Sequence, residues 1–279
     1  MRILFEDISK IVIMSDMDGT LLNSEKKITE KDRLAIKKFV SLGGKFTVST
    51  GRTLEAFEQY RKILDLRIPV ILYNGGIIYD YQAEKVLYAE YLPDGSREIT
   101  AELLDTMQSA GGEILKIDKT YVFRNNYYQQ YHTNLCGISP IYADLPEISD
   151  DGWLKVLFAM SPDDIPVMEK IIAEKNYSAV DFVKSSDIFI EMLPHNISKG
   201  SAIPEYRKLS GMNECKFVAI GDFDNDIEMI QSADLGVCPA NAEDSVKKNA
   251  DIILKNTNDN GAVAELIDYI IKKCNTENG

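Results

Sequence analysis

Positive charge is in short supply in this chain. Its 31 lysines and arginines stand against 44 aspartates and glutamates, for a formal net charge of −13. A nucleic-acid binder needs a basic face, and so does a protein that docks on an anionic membrane, so neither partner is expected. Cysteine is sparse too. Cys136, Cys215, Cys238 and Cys274 form no C-x-x-C pair, and their spacing fits neither a zinc site nor a disulfide framework. Cys238 lies in an apolar run and reads as a core thiol. Free thiols suit a reducing cytoplasm, which is the expected location. No apolar run approaches the length of a membrane-spanning helix. The first ten residues, "MRILFEDISK", carry acids and no long apolar stretch, so they do not read as a signal peptide. Internal repeats and low-complexity tracts are missing as well. What remains is a soluble chain of 279 residues, 45% hydrophobic, long enough for one large domain or two moderate ones. Its oligomeric state is left open. An acidic protein still binds a phosphate ester where a cation and a few local donors cancel the repulsion.

The apolar pattern is strongest near the N-terminus. "KIVIMS" is short, continuous and β-branched, as a strand buried on both faces must be. A helix follows at "TEKDRLAIKKFVSLGG", with Thr29 as its cap and Asp32 completing a near capping box, and Gly43 and Gly44 stop it. "KFTVST" is a second strand, "TLEAFEQYRKILDL" an amphipathic helix and "IPVILY" a third strand. Strand and helix in strict alternation predict a parallel, doubly wound, Rossmann-like sheet. The rhythm then changes. Hairpins at "IIYD"/"KVLYAEYL" and "SAVDFVKSS"/"DIFIEML" bracket strands at "EILKID", "YVFRNN" and "WLKVLFAMS" and helices at "SREITAELLDTMQSAGG" and "DDIPVMEKIIAEK". These predict an inserted α+β domain, an antiparallel sheet with helices on one face, over residues 83–193. The α/β rhythm resumes after "PHNISKG", so residues 1–82 and 194–279 form one core and the tail "NTENG" is expected to fray.

In such a sheet, ligands bind beyond the carboxyl ends of the strands. Core strands end there on Asp16 and Asp18, on Ser49 and Thr50, on Asn74 and on Asp222. An acid at the end of a buried strand is costly unless something compensates it. Several carboxylates converging at one edge cannot all stay ionised without a cation. Hard oxygen ligands that enclose the ion incompletely favour Mg²⁺. With the ion in place Asp16 is a candidate nucleophile toward phosphorus, and Asp18 is placed to protonate the leaving alkoxide and later to deprotonate water. Gly19 and Thr20 allow a tight turn that exposes N–H groups to phosphoryl oxygens, and Thr50 and Gly51 offer further anion contacts. Lys199, where the chain re-enters the core, supplies a cation, and Asn225 and Asp226 hold that lysine, the metal or the phosphate.

Four motifs in order carry a resemblance. "DMDGTLL", "STGR", Lys199 in "SKG", and "GDFDND" with "IEM" resemble the motifs of the haloacid-dehalogenase-like (HAD) hydrolases, and "NGG" with the inserted domain looks like the Cof-type branch with a type IIB cap. The resemblance covers nearly the whole chain. It implies a magnesium-dependent phosphatase of small phosphorylated metabolites, sugar phosphates first, then nucleotides or cofactor phosphates, working through an aspartyl-phosphate. By it, Asp16 is nucleophile and metal ligand. Asp18 is acid/base and binds the metal through its carbonyl. Thr50 and Lys199 bind the phosphoryl group, Asn225 touches the phosphate or orients Lys199, Asp222 binds the metal, and Asp226 is a ligand or holds metal-bound water; beside Thr50, Gly51 and Arg52 are read from their position as further phosphate or substrate contacts. "PANA" (239–242) and "NGA" (260–262) stand where many Cof-type chains have "MGNA" and "DGV". A phosphomutase would use the same covalent intermediate, and a non-enzymatic phospho-acceptor would need an aspartate at the same edge but not Asp18 or so large a lid. Plainer readings also exist for single residues. Thr50 is a helix cap, Arg52 a surface ion pair, Lys199 a solvated first-turn lysine and Asp224 a solvated acid. His195 is an exposed linker residue, His132 part of a half-buried amphipathic helix and Trp153 core.

Overall fold

The strand that leads into Asp16 is an interior strand of the parallel sheet. In the computed structural model, which describes residues 7–277, β1 (Ile11–Ser15) is buried along its whole length between β2 (Lys45–Val48) and β12 (Lys216–Ile220). In chain order the other elements are α1 (Glu30–Ser41), α2 (Leu54–Leu64), β3 (Val70–Leu72), β4 (Ile77–Asp80) and β5 (Lys85–Ala89). There follow α3 (Ser96–Thr106), β6 (Gly111–Leu115), β7 (Thr120–Arg124), α4 (Tyr127–Cys136), β8 (Ile141–Tyr142), β9 (Lys155–Ala159), α5 (Ile165–Lys175), β10 (Val180–Ser186) and β11 (Phe189–Pro194). The chain closes with α6 (Ala202–Leu209), β12 (Lys216–Ile220), α7 (Ile227–Ser232), β13 (Leu235–Cys238), α8 (Asp244–Lys247), β14 (Ile252–Ile253) and α9 (Ala262–Glu277). The residues fall into two compact units: 7–50, 60–87 and 198–277 in one, and 51–59 and 88–197 in the other.

The first unit holds a parallel sheet in the order β14-β13-β12-β1-β2. Ile13 pairs with Val218 on one side and Phe46 on the other. All three are buried, which is why these strands read as continuous apolar runs rather than alternating ones. Helix α1 is capped by Thr29, whose hydroxyl oxygen accepts from the Asp32 N–H. The box is not reciprocal, however. Asp32 takes the Thr29 hydroxyl proton on one oxygen and the Ala264 N–H on the other, tying α1 to the start of α9. Burial pushes the Asp32 carboxyl up, against these hydrogen bonds.

Three expectations are corrected. "IPVILY" does not extend the parallel sheet. β3 pairs antiparallel with β4 in a separate three-stranded sheet with β5, and its parallel pairing with the main sheet is reduced to one bridge, Ser49 to Ile71, with the Thr50 N–H on the Ile71 carbonyl and the Asn74 N–H on the Thr50 carbonyl. With only three residues in β3, the backbone turns at Tyr73 and Asn74, both at positive φ, and folds straight back into β4. Three residues of the "NTENG" tail are helical, since α9 continues to Glu277; Asn278 and Gly279 lie outside the described residues, as does most of the N-terminal stretch read for targeting. The third correction concerns the inserted unit.

That unit carries a six-stranded sheet, β10-β11-β9-β6-β7-β8, antiparallel except for its β7–β8 edge. On one face Ile114, Val156, Phe158, Ile190 and Met192 pack with Leu103 and Leu104 of α3 and with Ile165 and Met168 of α5. Trp153 belongs to this core, two residues before β9, and its indole N–H donates to the Ser149 carbonyl. The helices are not all on that face. α4 packs on β6 and β9 from the other side, because Glu113 points there and is fully buried. Its carboxylate is met by the Gln129 amide at 3.1 Å and by His132 Nδ1 at 3.0 Å. Burial opposes protonation of His132, but Glu113 outweighs it and holds the imidazole well above its ordinary range.

Candidate active site

Asp16 continues the β1 ladder by one bond, donating its N–H to the Ile220 carbonyl. The chain then turns abruptly. The Met17 carbonyl accepts from the N–H groups of Thr20, Leu21 and Leu22. Gly19 sits in this turn at φ +88°, where an L side chain is strained, and a Cβ there would lie 2.2 Å from Asp222 Oδ2. The close approach of β1's turn to the end of β12 therefore requires glycine. It also lets the Thr20 hydroxyl donate to Asp222 Oδ1 at 2.6 Å.

The turn after β12 brings the other acids. Asp226 Oδ2 accepts from the N–H groups of Asp222 and Phe223 at 3.0 and 3.1 Å, closing the loop on itself. Its Oδ1 faces Lys199. Lys199 Nζ sits between Asp226 Oδ1 at 2.7 Å and Asp16 Oδ1 at 2.6 Å, with the lysine only 2% exposed. Three residues ahead of α6, it is neither a solvated lysine nor part of the first turn.

The acids outnumber their cation here. Asp16, Asp222 and Asp226 each offer an oxygen within 4.8 Å of the others. At that separation and an effective dielectric near 20, two ionised carboxylates repel by about 3.5 kcal/mol. Lys199 counters this repulsion, but it does not also cover the cost of burying the carboxylates. The result is visible in Asp16: burial pushes its carboxyl up to about 7, Asp226 and Asp18 add to the rise, and Lys199 opposes it. Burial pushes Asp222 well above the carboxylate range too, with Asp16 and Asp226 adding to it. Three hard oxygens held this close, two of them reluctant to ionise, fit a small divalent cation.

The remaining sequence-derived residues separate into groups. Asp18 is half-buried and accepts from Lys26 Nζ at 2.9 Å, apart from the three converging acids. Thr50 is buried at the end of β2; its N–H donates to the Ile71 carbonyl and its carbonyl accepts from Asn74. Asn225 donates to Asn74 Oδ1 at 3.3 Å. Lys199 is thus held by Asp226 rather than Asn225. Gly51 and Arg52 pack with the other unit: the Gly51 carbonyl accepts from Lys155, and the buried Arg52 approaches the Ala56 carbonyl at 3.5 Å. Arg52 is therefore not a surface residue. Asp224 is bonded by the Ser245 hydroxyl, and His195 is exposed beside Asp181.

Sequence reasoning passed over four participants. Thr20 was assigned a backbone role, and Asn74 was noted only as a strand end. Asn241 of "PANA" donates to the Gly19 carbonyl at 2.8 Å, so that loop buttresses the turn. Lys26 reaches Asp18 only because a hairpin brings it back. The asparagine of "NGG" was the one signal in plain view.

Comparison with known proteins agrees with this geometry. Residues 13–267 match the haloacid dehalogenase-like hydrolase family. A Bacillus subtilis 5-amino-6-(5-phospho-D-ribitylamino)uracil phosphatase is 32% identical over 266 residues, covering 94% of this chain and 96% of its own. Escherichia coli pyridoxal phosphate phosphatase is 27% identical over 267 residues, covering 92% and 97%. Among solved structures, a haloacid dehalogenase-like hydrolase from Bacteroides thetaiotaomicron superposes with a TM-score of 0.79 at 26% identity, covering 93% of this chain and 98% of that one. A HAD subclass IIB sugar phosphatase superposes at 0.78 with 18% identity, covering 92% and 98%, a likeness of fold. Among the described residues no helix is long and apolar enough to cross a membrane.

Proposed function

This chain belongs to the haloacid dehalogenase-like hydrolase family and is a phosphatase, and from that premise we propose that it hydrolyses small phosphorylated metabolites with Mg²⁺ through an aspartyl-phosphate on Asp16. The observation that carries this reading is Lys199 buried between Asp16 and Asp226, with Asp222 beside them. A buried cation touching the candidate nucleophile has little value for stability alone. It has a clear use where negative charge builds on transferring oxygens.

Asp16, Asp222 and Asp226 would hold the magnesium ion, which when bound neutralises the carboxylates and draws charge from the phosphoryl oxygens. The Asp18 carbonyl is a further ligand by family resemblance. An Asp16 carboxylate oxygen forms a bond to phosphorus as the bond to the substrate's ester oxygen breaks. That oxygen keeps the bonding pair and takes the proton of the Asp18 carboxyl. The alcohol leaves. Water then attacks the same phosphorus, Asp18 takes its proton back, and the Asp16–phosphorus bond breaks to give inorganic phosphate. Throughout, Lys199 faces the phosphoryl charge, and Thr50, Gly51 and Asn225 donate to its oxygens. Arg52 contacts the substrate.

Sugar phosphates lead as substrates, with phosphoribityl-bearing pyrimidines and pyridoxal phosphate next, since named relatives act on these. The enzyme is read as cytoplasmic, with no nucleic-acid or membrane partner; its four cysteines are free. The test is phosphate release across a metabolite panel with Mg²⁺, parent against Asp16→Asn. Turnover by the parent alone is expected, and equal rates would overturn the assignment. Isomer formed in place of free phosphate would turn the reading to a phosphomutase.

A further inference from the structure

Of the five acids on the two turns, Asp16, Asp222 and Asp226 converge, and Asp224 is bonded by Ser245. Asp18 is turned instead toward Lys26, eight residues on, whose Nζ lies 2.9 Å from Asp18 Oδ1 with both side chains about one-third exposed. This contact is built, not incidental. Residues 22–28 form a tight hairpin, with Leu22 bridged to Ile28 and also to Asp18. Asn23 braces it, its side-chain oxygen accepting from the N–H groups of Glu25 and Lys27. Asp259 takes both the N–H and the hydroxyl of Ser24, and the buried Tyr60 hydroxyl donates to the Lys26 carbonyl at 3.0 Å.

Within this hairpin Lys26 has φ +58°, a left-handed conformation that a non-glycine residue adopts only under constraint. Glycine would occupy the position without strain. What the lysine adds is an ammonium group delivered to Asp18. Strain held by surrounding bonds and spent on a contact to a chemical group marks a functional device.

We propose that Lys26 is a positioning residue for Asp18. Its ammonium, on Oδ1, fixes the orientation of this carboxyl beside the Asp16–Asp222–Asp226 cluster and so sets it for proton exchange with the ester oxygen. This rests on the phosphatase reading above and on Asp18 as its acid/base. As the phosphorus–oxygen bond breaks, the leaving oxygen keeps the electron pair and receives the Asp18 proton; Lys26 keeps its own protons.

Leaving-group selectivity tests it. A sugar phosphate expels an alkoxide that needs a proton, whereas p-nitrophenyl phosphate expels a stable phenolate that does not. Asp18→Asn should therefore lose far more kcat/KM on the sugar phosphate, which establishes the acid role independently. If the parent hydrolyses neither compound, or Asp18→Asn loses both equally, the underlying reading fails and the proposal with it. If that reading holds, Lys26→Met and the unstrained Lys26→Gly should each lower the sugar-phosphate to p-nitrophenyl-phosphate ratio tenfold or more, and Lys26→Arg should restore most of it. A ratio unchanged in both deletions, whether activity is kept or lost evenly, would overturn the role of Lys26 while leaving the phosphatase reading intact.

Discussion

Without a divalent cation, the folded chain should grow less stable as pH rises from about 4 to about 7, and Asp16 should be a main cause. Burial holds this carboxyl near 7 in the folded chain, against 3.8 as its ordinary value. A raised acid keeps its proton in the folded state after the unfolded state has released it. The folded state therefore binds more protons across that interval, and stability falls as pH climbs. The interval is worth about 4 kcal/mol at about 1.4 kcal/mol per tenfold change in proton activity. Asp222, also raised, adds in the same direction, and Lys199, raised further from its already basic range, stays charged throughout. Asp16→Asn imitates the protonated acid and has no charge to bury. It should be nearly as stable as the parent near pH 4 and more stable by up to about 4 kcal/mol near pH 7.5. The assay is urea unfolding of both proteins in chelator across that range, the difference between them removing the groups that do not interact with Asp16. Adding Mg²⁺ should shrink the parent's pH slope, because the ion favours the ionised form, and should move the variant less. Parallel pH profiles for parent and variant, or a parent that gains stability toward pH 7, would refute the reasoning.

Other outcomes follow from the same contacts. Lys199→Met should lower kcat by about 10²–10³, the size of a lost transition-state donor, and an unchanged kcat would remove it from the chemistry. Gly19→Ala should abolish most activity and lower the melting temperature, since its Cβ meets Asp222 at a positive φ; a fully active variant would contradict the close approach. In the inserted unit the buried pair of Lys155 and Glu191, 2.7 Å apart, gives a stability test. Lys155→Met alone should cost about 3–5 kcal/mol by removing the ammonium that faces the buried Glu191 carboxylate, and adding Glu191→Met should recover most of it in denaturant unfolding. No recovery would mean that Lys155 acts chiefly through its other bond, to the Gly51 carbonyl.

Strand ends were legible in the sequence because burial on both faces makes parallel strands continuous apolar runs, and such a run stops where the chemistry starts. "KIVIMS" before Asp16 and "KFVAIG" before Asp222 show this directly. β3 misled because three buried apolar residues look the same whether their partner runs parallel or antiparallel, and only the turn at Tyr73 and Asn74 decides. Helix α4 read as amphipathic, but the sheet face it covers depends on Glu113 in β6, fourteen residues before α4 begins, whose burial demands partners from that helix. Asp16, Lys199 and Asp222 could be chosen by residue type and position. Thr20, Asn74 and Asn241 act through contacts to distant backbone or side chains, and Lys26 acts through a hairpin and a φ value, neither of which a residue pattern encodes.

The nucleophilic role of Asp16 is tested most directly by trapping. The enzyme turning over a sugar phosphate with Mg²⁺ is quenched in acid, reduced with borohydride and digested, and the peptide spanning residue 16 is sequenced by mass spectrometry. Acyl phosphates are reduced and free carboxylates are not, so homoserine should appear at position 16 in the presence of substrate and vanish without it. Robust phosphate release with an unmodified aspartate at 16, or with homoserine at another acid, would contradict covalent transfer through Asp16.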